Sequence, residues 1–265
     1  MQKGQKLFFT IGGIVLVVMV SYLAGFAAEG QFQEIPAAES VYNNESINLP
    51  ASTGSFIVLI PNEAHESWSD EKHKLLSDKN SYYLPTKITI PQGSSVSFLN
   101  ADAPWNTPHP HTIEIKKSDD VVYSSGNLDY SNSSKSKILP TGNYSIEDTQ
   151  YEWMKGTITV TDQKSNGSLV VGGFYTPTDE VANNKDNDGL AHPGSLEYYR
   201  NEFSKNGFKI LSEHNFTYNT CEYCEGEYWP DNKTGEHTLI IFSTEQRLDQ
   251  ALNILEKLVR DNVYI

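Results

Sequence analysis

Residues 83–100 read Tyr83-Leu84-Pro85-Thr86-Lys87-Ile88-Thr89-Ile90-Pro91-Gln92-Gly93-Ser94-Ser95-Val96-Ser97-Phe98-Leu99-Asn100. Within them, residues 87–90 and residues 95–99 each have the alternation and the β-branched and aromatic content of a short strand. A Pro-x-Gly sequence separates the two runs, which is typical of a turn. This stretch therefore predicts two consecutive strands joined by a turn.

Strand-like runs of the same kind occur on both sides of this stretch. They are bounded by Gly, Pro, Asn and Asp, and they cover residues 55–60, 112–115, 143–146 and 157–160. Short strands at this spacing predict a β-sandwich or barrel. Residues 61–83 are polar and too long for a hairpin turn, so they predict an inserted surface loop with a helical turn.

The stretch 83–100 resembles the opening of plastocyanin-like cupredoxins. In that family a strand, a Pro-x-Gly turn and a second strand ending in Asn lead to the first copper histidine, whose position falls on His111. Two further segments resemble the family's Ser-Gly-x-Leu turn and the approach to its ligand loop: Ser125-Gly126-Asn127-Leu128 and Leu139-Pro140-Thr141-Gly142-Asn143-Tyr144. The resemblance implies a Greek-key cupredoxin-like sandwich at residues 53–162.

The resemblance breaks in the ligand loop itself. The family loop reads Cys-x-x-His-Pro-x-Met-x-Gly, whereas this chain has Asp148-Thr149-Gln150-Tyr151-Glu152-Trp153-Met154-Lys155-Gly156. Met154 and Gly156 keep the register, so Asp148 stands at the cysteine position and Tyr151 at the second histidine position. A type 1 copper site needs the copper–thiolate bond. The resemblance therefore implies a degenerate site without blue-copper electron transfer.

Two interpretations of this degenerate site follow. In the first, His109, His111, Asp148 and Tyr151 bind Cu(II), Zn(II) or another divalent ion through harder nitrogen and oxygen donors, with Met154 at the position of the family's axial methionine. In the second, which we favour, His111 hydrogen-bonds Asp148 and Tyr151 fills the former pocket, because a site that has lost two ligands seldom regains good geometry for another metal.

The periodicity changes after residues 163–168, which have the composition of a short linker. Residues 169–174, 208–211 and 238–242 predict strands. A helix is expected from a Ser195 cap to Gly207, and a last helix begins with a capping box of Ser243 and Gln246. The sequence therefore predicts a small α+β domain of ferredoxin-like type at residues 169–265.

The N-terminal segment, residues 1–28, predicts a membrane anchor. No charged residue occurs at positions 7–28, and Lys3 and Lys6 precede the run. This length spans a bilayer, and the lysines favour a cytoplasmic N-terminus. We expect a single-pass protein whose bulk is extracytoplasmic, with residues 29–52 as a polar stalk; a signal peptide cleaved near Ala27 is the alternative.

Export agrees with two further features. The two cysteines of the chain, Cys221 and Cys224, predict a disulfide in an oxidising compartment. Asn-x-Ser/Thr sequons, which indicate a glycoprotein, occur at Asn44, Asn132, Asn143, Asn166, Asn215 and Asn232.

Residues 184–190 match the first half of a calcium loop. Asn184, Asp186 and Asp188 offer side-chain oxygens, Gly189 stands at the turn position, and Leu190 would contribute its carbonyl oxygen. The twelfth position is Ser195 instead of glutamate. A solvated turn before a helix is therefore the favoured interpretation.

The charge and the missing motifs limit the function. A net charge of -14 disfavours nucleic acid as a partner. The sequence has no Gly-x-Ser-x-Gly, no His-Glu-x-x-His and no phosphate-binding glycine loop, so we expect no enzyme. The favoured hypothesis is a binding or assembly module with an envelope or membrane protein as partner. The alternative is a metalloprotein that uses His111 and its neighbours for storage, delivery or redox chemistry.

Overall fold

The computed structural model describes residues 47–49, 51–62, 64–65, 82–104, 107–177, 196–219 and 234–261. Within these ranges the chain is mainly β, with twelve strands and two helices. The elements in chain order are β1 (Ile47–Asn48), β2 (Thr53–Ile60), β3 (Lys87–Gln92), β4 (Ser95–Asn100), β5 (Ile113–Lys117), β6 (Asp120–Ser124), β7 (Lys137–Ile138), β8 (Gly142–Asp148), β9 (Lys155–Lys164), β10 (Leu169–Pro177), α1 (Leu196–Lys205), β11 (Phe208–Asn219), β12 (Thr234–Thr244) and α2 (Leu248–Arg260).

The strands form two six-stranded sheets. The first sheet has the order β1-β3-β9-β8-β5-β6, and the second has the order β11-β12-β10-β2-β4-β7. The predicted turn between β3 and β4 is present: Gly93 has φ +95°, a backbone conformation in which glycine meets no Cβ penalty. Consecutive strands therefore lie in different sheets at this point, and the turn carries the chain from one sheet to the other.

The hydrophobic core draws on both sheets. β3, β5, β8 and β9 of the first sheet contribute isoleucines, and β2 and β4 of the second contribute aromatic and aliphatic side chains. In β2, residues 56–60 are fully buried in succession. A strand shows such a run when both of its faces are covered, whereas in a strand with one exposed face buried and exposed side chains alternate. β2 is thus a central strand of the molecule.

The second sheet continues beyond residues 53–162 into the C-terminal segment. β10 pairs in parallel with β2 and antiparallel with β12, and β12 pairs antiparallel with β11. The connection before β10 hydrogen-bonds the chain around β2: the Asn166 N–H donates to Ala51 O at 2.8 Å and the Leu169 N–H to Ser52 O at 3.1 Å. The predicted domain boundary at 163–168 stays a prediction, although β10, which follows it, shares the second sheet with β2 and β4, which precede it.

The two helices cover the C-terminal strands with apolar residues. α1 buries Tyr199 and Phe203, and Gly207 after it has φ +72°. α2 buries Ala251, Leu252, Leu255, Leu258 and Val259 on one face.

The predicted capping box of α2 is wrong. Ser243 belongs to β12, and the N-cap of α2 is Arg247, which makes no side-chain capping hydrogen bond. The strand runs further than its apolar pattern indicated, because Ser243 and Thr244 still pair with β10 and β11. The helix therefore depends on the burial of its apolar face more than on its cap.

No helix among the described residues is long and apolar enough to cross a membrane. The predicted span at residues 7–28 lies outside the described residues.

Candidate functional site

His111 lies between the end of β4 and the start of β5 and is completely buried. Its backbone is bridged to Leu128: the His111 N–H donates to Leu128 O at 3.1 Å, and the Leu128 N–H donates to His111 O at 2.8 Å. This pair of bonds joins the segment before β5 to the turn that follows β6. The backbone of His111 is therefore held independently of its side chain.

Two carboxylates flank the imidazole of His111. Nδ1 lies 2.7 Å from Asp148 Oδ2, and Nε2 lies 3.1 Å from Asp102 Oδ2. All three side chains are fully buried or nearly so. The hydrogen bond between His111 and Asp148 that our favoured interpretation expects is therefore present. The second carboxylate, Asp102, was not predicted.

This geometry favours the charged form of His111. An ionised carboxylate only accepts hydrogen bonds, and a neutral imidazole has one N–H, so hydrogen bonds to two ionised carboxylates require the doubly protonated imidazolium. Burial by itself favours neutral imidazole, but the hydrogen bonds to Asp102 and Asp148 outweigh it and raise the pKa of His111. Likewise, burial opposes ionisation of Asp102, but hydrogen bonds from His111 and His65 hold its pKa below the ordinary value.

Asn100, the last residue of β4, positions Asp102. Its Oδ1 accepts the Asp102 N–H at 2.8 Å, and its Nδ2 donates to Leu128 O at 2.9 Å and to His109 O at 3.3 Å. One buried amide thus joins the end of β4, the segment before His111 and the turn at Leu128. The strand-ending Asn of the sequence pattern therefore organises the loops around His111.

Asp148, the last residue of β8, closes a turn with its second carboxylate oxygen. Oδ1 accepts the backbone N–H of Gln150 at 2.7 Å and that of Tyr151 at 3.3 Å. This local bonding fixes the carboxylate while its Oδ2 faces His111. The same turn brings the ring of Tyr151 to a centroid distance of 4.9 Å from the ring of His111.

His65, from the insertion after β2, completes the network. Its Nδ1 lies 2.9 Å from both oxygens of Asp102, and its backbone N–H donates to Asp102 Oδ2 at 2.9 Å. The sequence prediction missed His65, because it assigned residues 61–83 to a surface loop. A histidine in a loop that follows a fully apolar strand was the available signal, but only the fold brings it to Asp102, 37 positions away.

The rings of His65, His109, Tyr151 and Trp153 form a group that we call the aromatic cluster. His65 and His109 stack with a centroid distance of 3.5 Å and an interplanar angle of 3°. Tyr151 lies 6.5 Å from His65 and 5.5 Å from Trp153, with tilted rings. The Trp153 indole N–H donates to Ala64 O at 3.2 Å. The cluster thus joins the insertion to the loop after β8.

The residues at this site do not fit a type 1 copper ion as they are arranged. A histidine ligand gives the metal a lone pair on a ring nitrogen, but both nitrogens of His111 are engaged in hydrogen bonds with Asp148 and Asp102. Aspartate stands in place of the thiolate. Among the residues that the structure describes, no group of three or more His, Cys, Asp or Glu side chains is arranged to hold a metal ion.

The predicted ligand set is brought together only in part. His111, Asp148 and Tyr151 lie in contact, whereas His109 stacks on His65. Met154 is fully buried in the core, and its N–H donates to Tyr151 O at 2.9 Å. The binding of a metal by these residues stays a prediction.

Other predicted features lie outside the described residues. They are the calcium loop of Asn184, Asp186, Asp188 and Leu190 and the Cys221–Cys224 disulfide.

Comparisons with known proteins give similarities over part of the chain. No protein-family model and no curated protein matches the sequence. A purple cupredoxin from Nitrosopumilus maritimus is similar over 40% of this chain and 98% of its own, with 21% identity and a TM-score of 0.31. Amicyanin from Paracoccus versutus is similar over 42% of this chain and 84% of its own, with 19% identity and a TM-score of 0.28.

Proposed function

We propose that this chain is a membrane-anchored, extracytoplasmic binding or assembly module of cupredoxin-like type that does not use a blue-copper site. Its role is to present a folded surface to a neighbouring envelope or membrane protein. The apolar segment at 7–28 and the polar residues 29–52 support the anchor and the stalk. The lack of catalytic motifs in the sequence supports a module that is not an enzyme.

The observation that carries this proposal is the imidazole of His111, which hydrogen-bonds a carboxylate at each of its two ring nitrogens. In a type 1 site the corresponding histidine donates a lone pair to the metal, and a cysteine thiolate supplies the short bond that gives colour and electron transfer. Here Asp148 and Asp102 direct both nitrogens of His111 into hydrogen bonds at 2.7 and 3.1 Å. The positive charge that a copper ion would supply is supplied by a proton on the imidazole.

Copper titration of the purified full-length chain tests this proposal. The chain, freed of metal by chelation, is titrated with Cu(II) while its visible absorption and copper content are measured. We expect no intense blue absorption, and we expect no stoichiometric copper binding that requires His111. Stoichiometric copper that disappears in a His111→Ala variant would establish the alternative, a metalloprotein, and an intense blue colour would show that the assignment of Asp148 to the thiolate position is wrong.

The converse variant tests how far the pocket has diverged. Asp148→Cys combined with Tyr151→His restores the two missing ligand types of the family loop while Met154 stays in register. We expect copper binding to appear only in this double variant, and Asp148→Cys alone serves as its control.

Protease added to intact cells tests the membrane topology. Cleavage within residues 29–52 should release a fragment of nearly full length and leave a short stub in the membrane. A protected C-terminal part would contradict the proposed orientation, and a mature N-terminus near Ala28 would indicate a cleaved signal peptide.

A further inference from the structure

Three of the Asn-x-Ser/Thr sequons fall on residues whose side chains the structure describes. They begin at Asn132, Asn143 and Asn166, and all three asparagines are exposed. The motif is completed by a Ser or Thr hydroxyl at its third position, and it is typical of surface loops. The surroundings of the third residue and of the backbone therefore decide which of these sequons an enzyme can bind in the folded chain.

The sequon at Asn132 is closed by its neighbours. Its third residue, Ser134, is buried, and the Ser134 hydroxyl accepts the backbone N–H of Phe98 at 2.9 Å. Its second residue, Ser133, donates both its backbone N–H and its hydroxyl to the Glu256 carboxylate of α2. This sequon is therefore inaccessible to an enzyme once the chain has folded.

The sequon at Asn143 lies inside β8, which pairs with β5 on one side and with β9 on the other. The Asn143 Oδ1 accepts the hydroxyl of Thr159 at 3.1 Å, and the third residue, Ser145, is half-buried. An enzyme that binds this segment would have to remove an interior strand from the first sheet, which requires extensive unfolding. This sequon is therefore also closed in the folded chain.

The sequon at Asn166 differs from both. Asn166, Gly167 and Ser168 are all exposed, and they lie in the connection between β9 and β10, outside any strand. At the middle position an added Cβ would lie 2.2 Å from Ser52 O, so glycine lets this connection pack closely against the start of β2. The acceptor amide and the hydroxyl of the motif are thus both at the surface, and a connection opens locally at a lower cost than a sheet strand.

The fold also determines where a group on Asn166 would lie. The Asn166 N–H donates to Ala51 O at 2.8 Å, and the N–H of the preceding residue, Ser165, donates to Gln92 O at 2.8 Å, just before the turn into β4. The far end of β4 is Asn100, at the candidate site, about 16 Å from the first residue of this six-residue strand. A group on Asn166 would therefore cover the end where the predicted stalk joins β2 and leave the candidate site uncovered.

We propose that Asn166 is the N-glycosylation site of the folded chain and that the sugar donor is an oligosaccharide carried on a lipid phosphate. In the transfer, the side-chain nitrogen of Asn166 forms a bond to the anomeric carbon of the sugar, and the bond from that carbon to the phosphate oxygen breaks. The phosphate leaves with the electron pair, and the amide nitrogen gives up one proton to a base of the transferase. The inference rests on the proposed function, because glycosylated sequons belong to exported chains.

Mass spectrometry of the full-length chain, purified from the cells that naturally produce it, tests this inference. Asn166→Gln removes the acceptor, Ser168→Ala removes the hydroxyl of the motif, and Ser168→Thr keeps it. Asn132→Gln is the matched control, because it removes an exposed asparagine from a closed sequon. We expect a glycan on Asn166 in wild type, Ser168→Thr and Asn132→Gln, and complete loss of this glycan in Asn166→Gln and Ser168→Ala. All three positions are exposed, so we expect every variant to fold.

Protease treatment of intact cells, carried out on the same preparations, separates a failure of this inference from a failure of the proposed function. An unmodified Asn166 in a chain that protease releases from the cells overturns the inference alone, because that chain has been exported. Glycans on Asn132 or Asn143 in the same proportion as on Asn166 would also overturn it, because modification would then precede folding and the structure would not select the site. A protected C-terminal part without any glycan would overturn the inference together with the proposed orientation.

Discussion

Replacing Asp148 by asparagine removes one of the two charges that hold His111. Asparagine keeps the size of the side chain and an oxygen that still accepts the N–H groups of Gln150 and Tyr151. What is lost is the charge-assisted bond at 2.7 Å to a fully buried imidazolium. Removing one partner of a buried ion pair costs about 3–5 kcal/mol. Because the turn is retained, we expect the lower end, a loss of about 3 kcal/mol in the free energy of unfolding.

Urea unfolding followed by tryptophan fluorescence measures this loss. The urea concentration at the midpoint of unfolding should fall. The slope of the free energy of unfolding against urea concentration should stay unchanged, since the same surface is exposed on unfolding. In a thermal scan, the same loss corresponds to a decrease of about 6–12 °C in Tm. The control is Asp162→Asn on β9, where the side chain is exposed, and we expect a change below about 0.5 kcal/mol there. An Asp148→Asn variant as stable as this control would refute the charged state of His111.

Three further predictions concern pH, a close backbone contact and helix α2. The lowered pKa of Asp102 gives stability that is present above pH ~4 and lost as the pH falls through its folded value, whereas the raised pKa of His111 gives stability that is full below pH ~6.5 and lost as the pH rises through its folded value. The urea midpoint should therefore be highest between pH ~4 and pH ~6.5 and should decline at lower and at higher pH. A midpoint that rises steadily with pH would contradict this. Gly167→Ala should destabilise the chain by about 1–3 kcal/mol in urea unfolding, because the added Cβ would lie 2.2 Å from Ser52 O; stability equal to wild type would mean that the connection is loose. Glu256→Ala should cost about 1–2 kcal/mol, because the Ser133 N–H donates to Glu256 at 2.9 Å, and faster amide exchange at Ser133 would confirm it.

The sequence predicted the local elements well, because their signals are local. The strands at 87–90 and 95–99, the turn at Gly93 and helix α1 all depend on residues a few positions apart. The register in the ligand loop also placed Asp148 beside His111, as the structure has it. Periodicity and turn residues were sufficient for these features.

The contacts that escaped prediction join distant parts of the chain. Asp102 and His65 meet across 37 positions, and the residues between the strands give no periodic signal for such a contact. Likewise, no feature of residues 169–174 indicated that β10 would pair in parallel with β2. An apolar pattern indicates that a strand is buried but does not indicate which other strand it pairs with.

The protonation state of His111 tests the account most directly. Long-range ¹H–¹⁵N correlation spectra of the full-length chain at neutral pH, with the His111 signals assigned through a His111→Gln variant, report whether each ring nitrogen carries a proton. We predict that Nδ1 and Nε2 are both protonated and that their signals stay unchanged when Cu(II) or Zn(II) is added. One unprotonated nitrogen at neutral pH, or loss of these signals on addition of metal, would contradict the replacement of the metal by a charged imidazole.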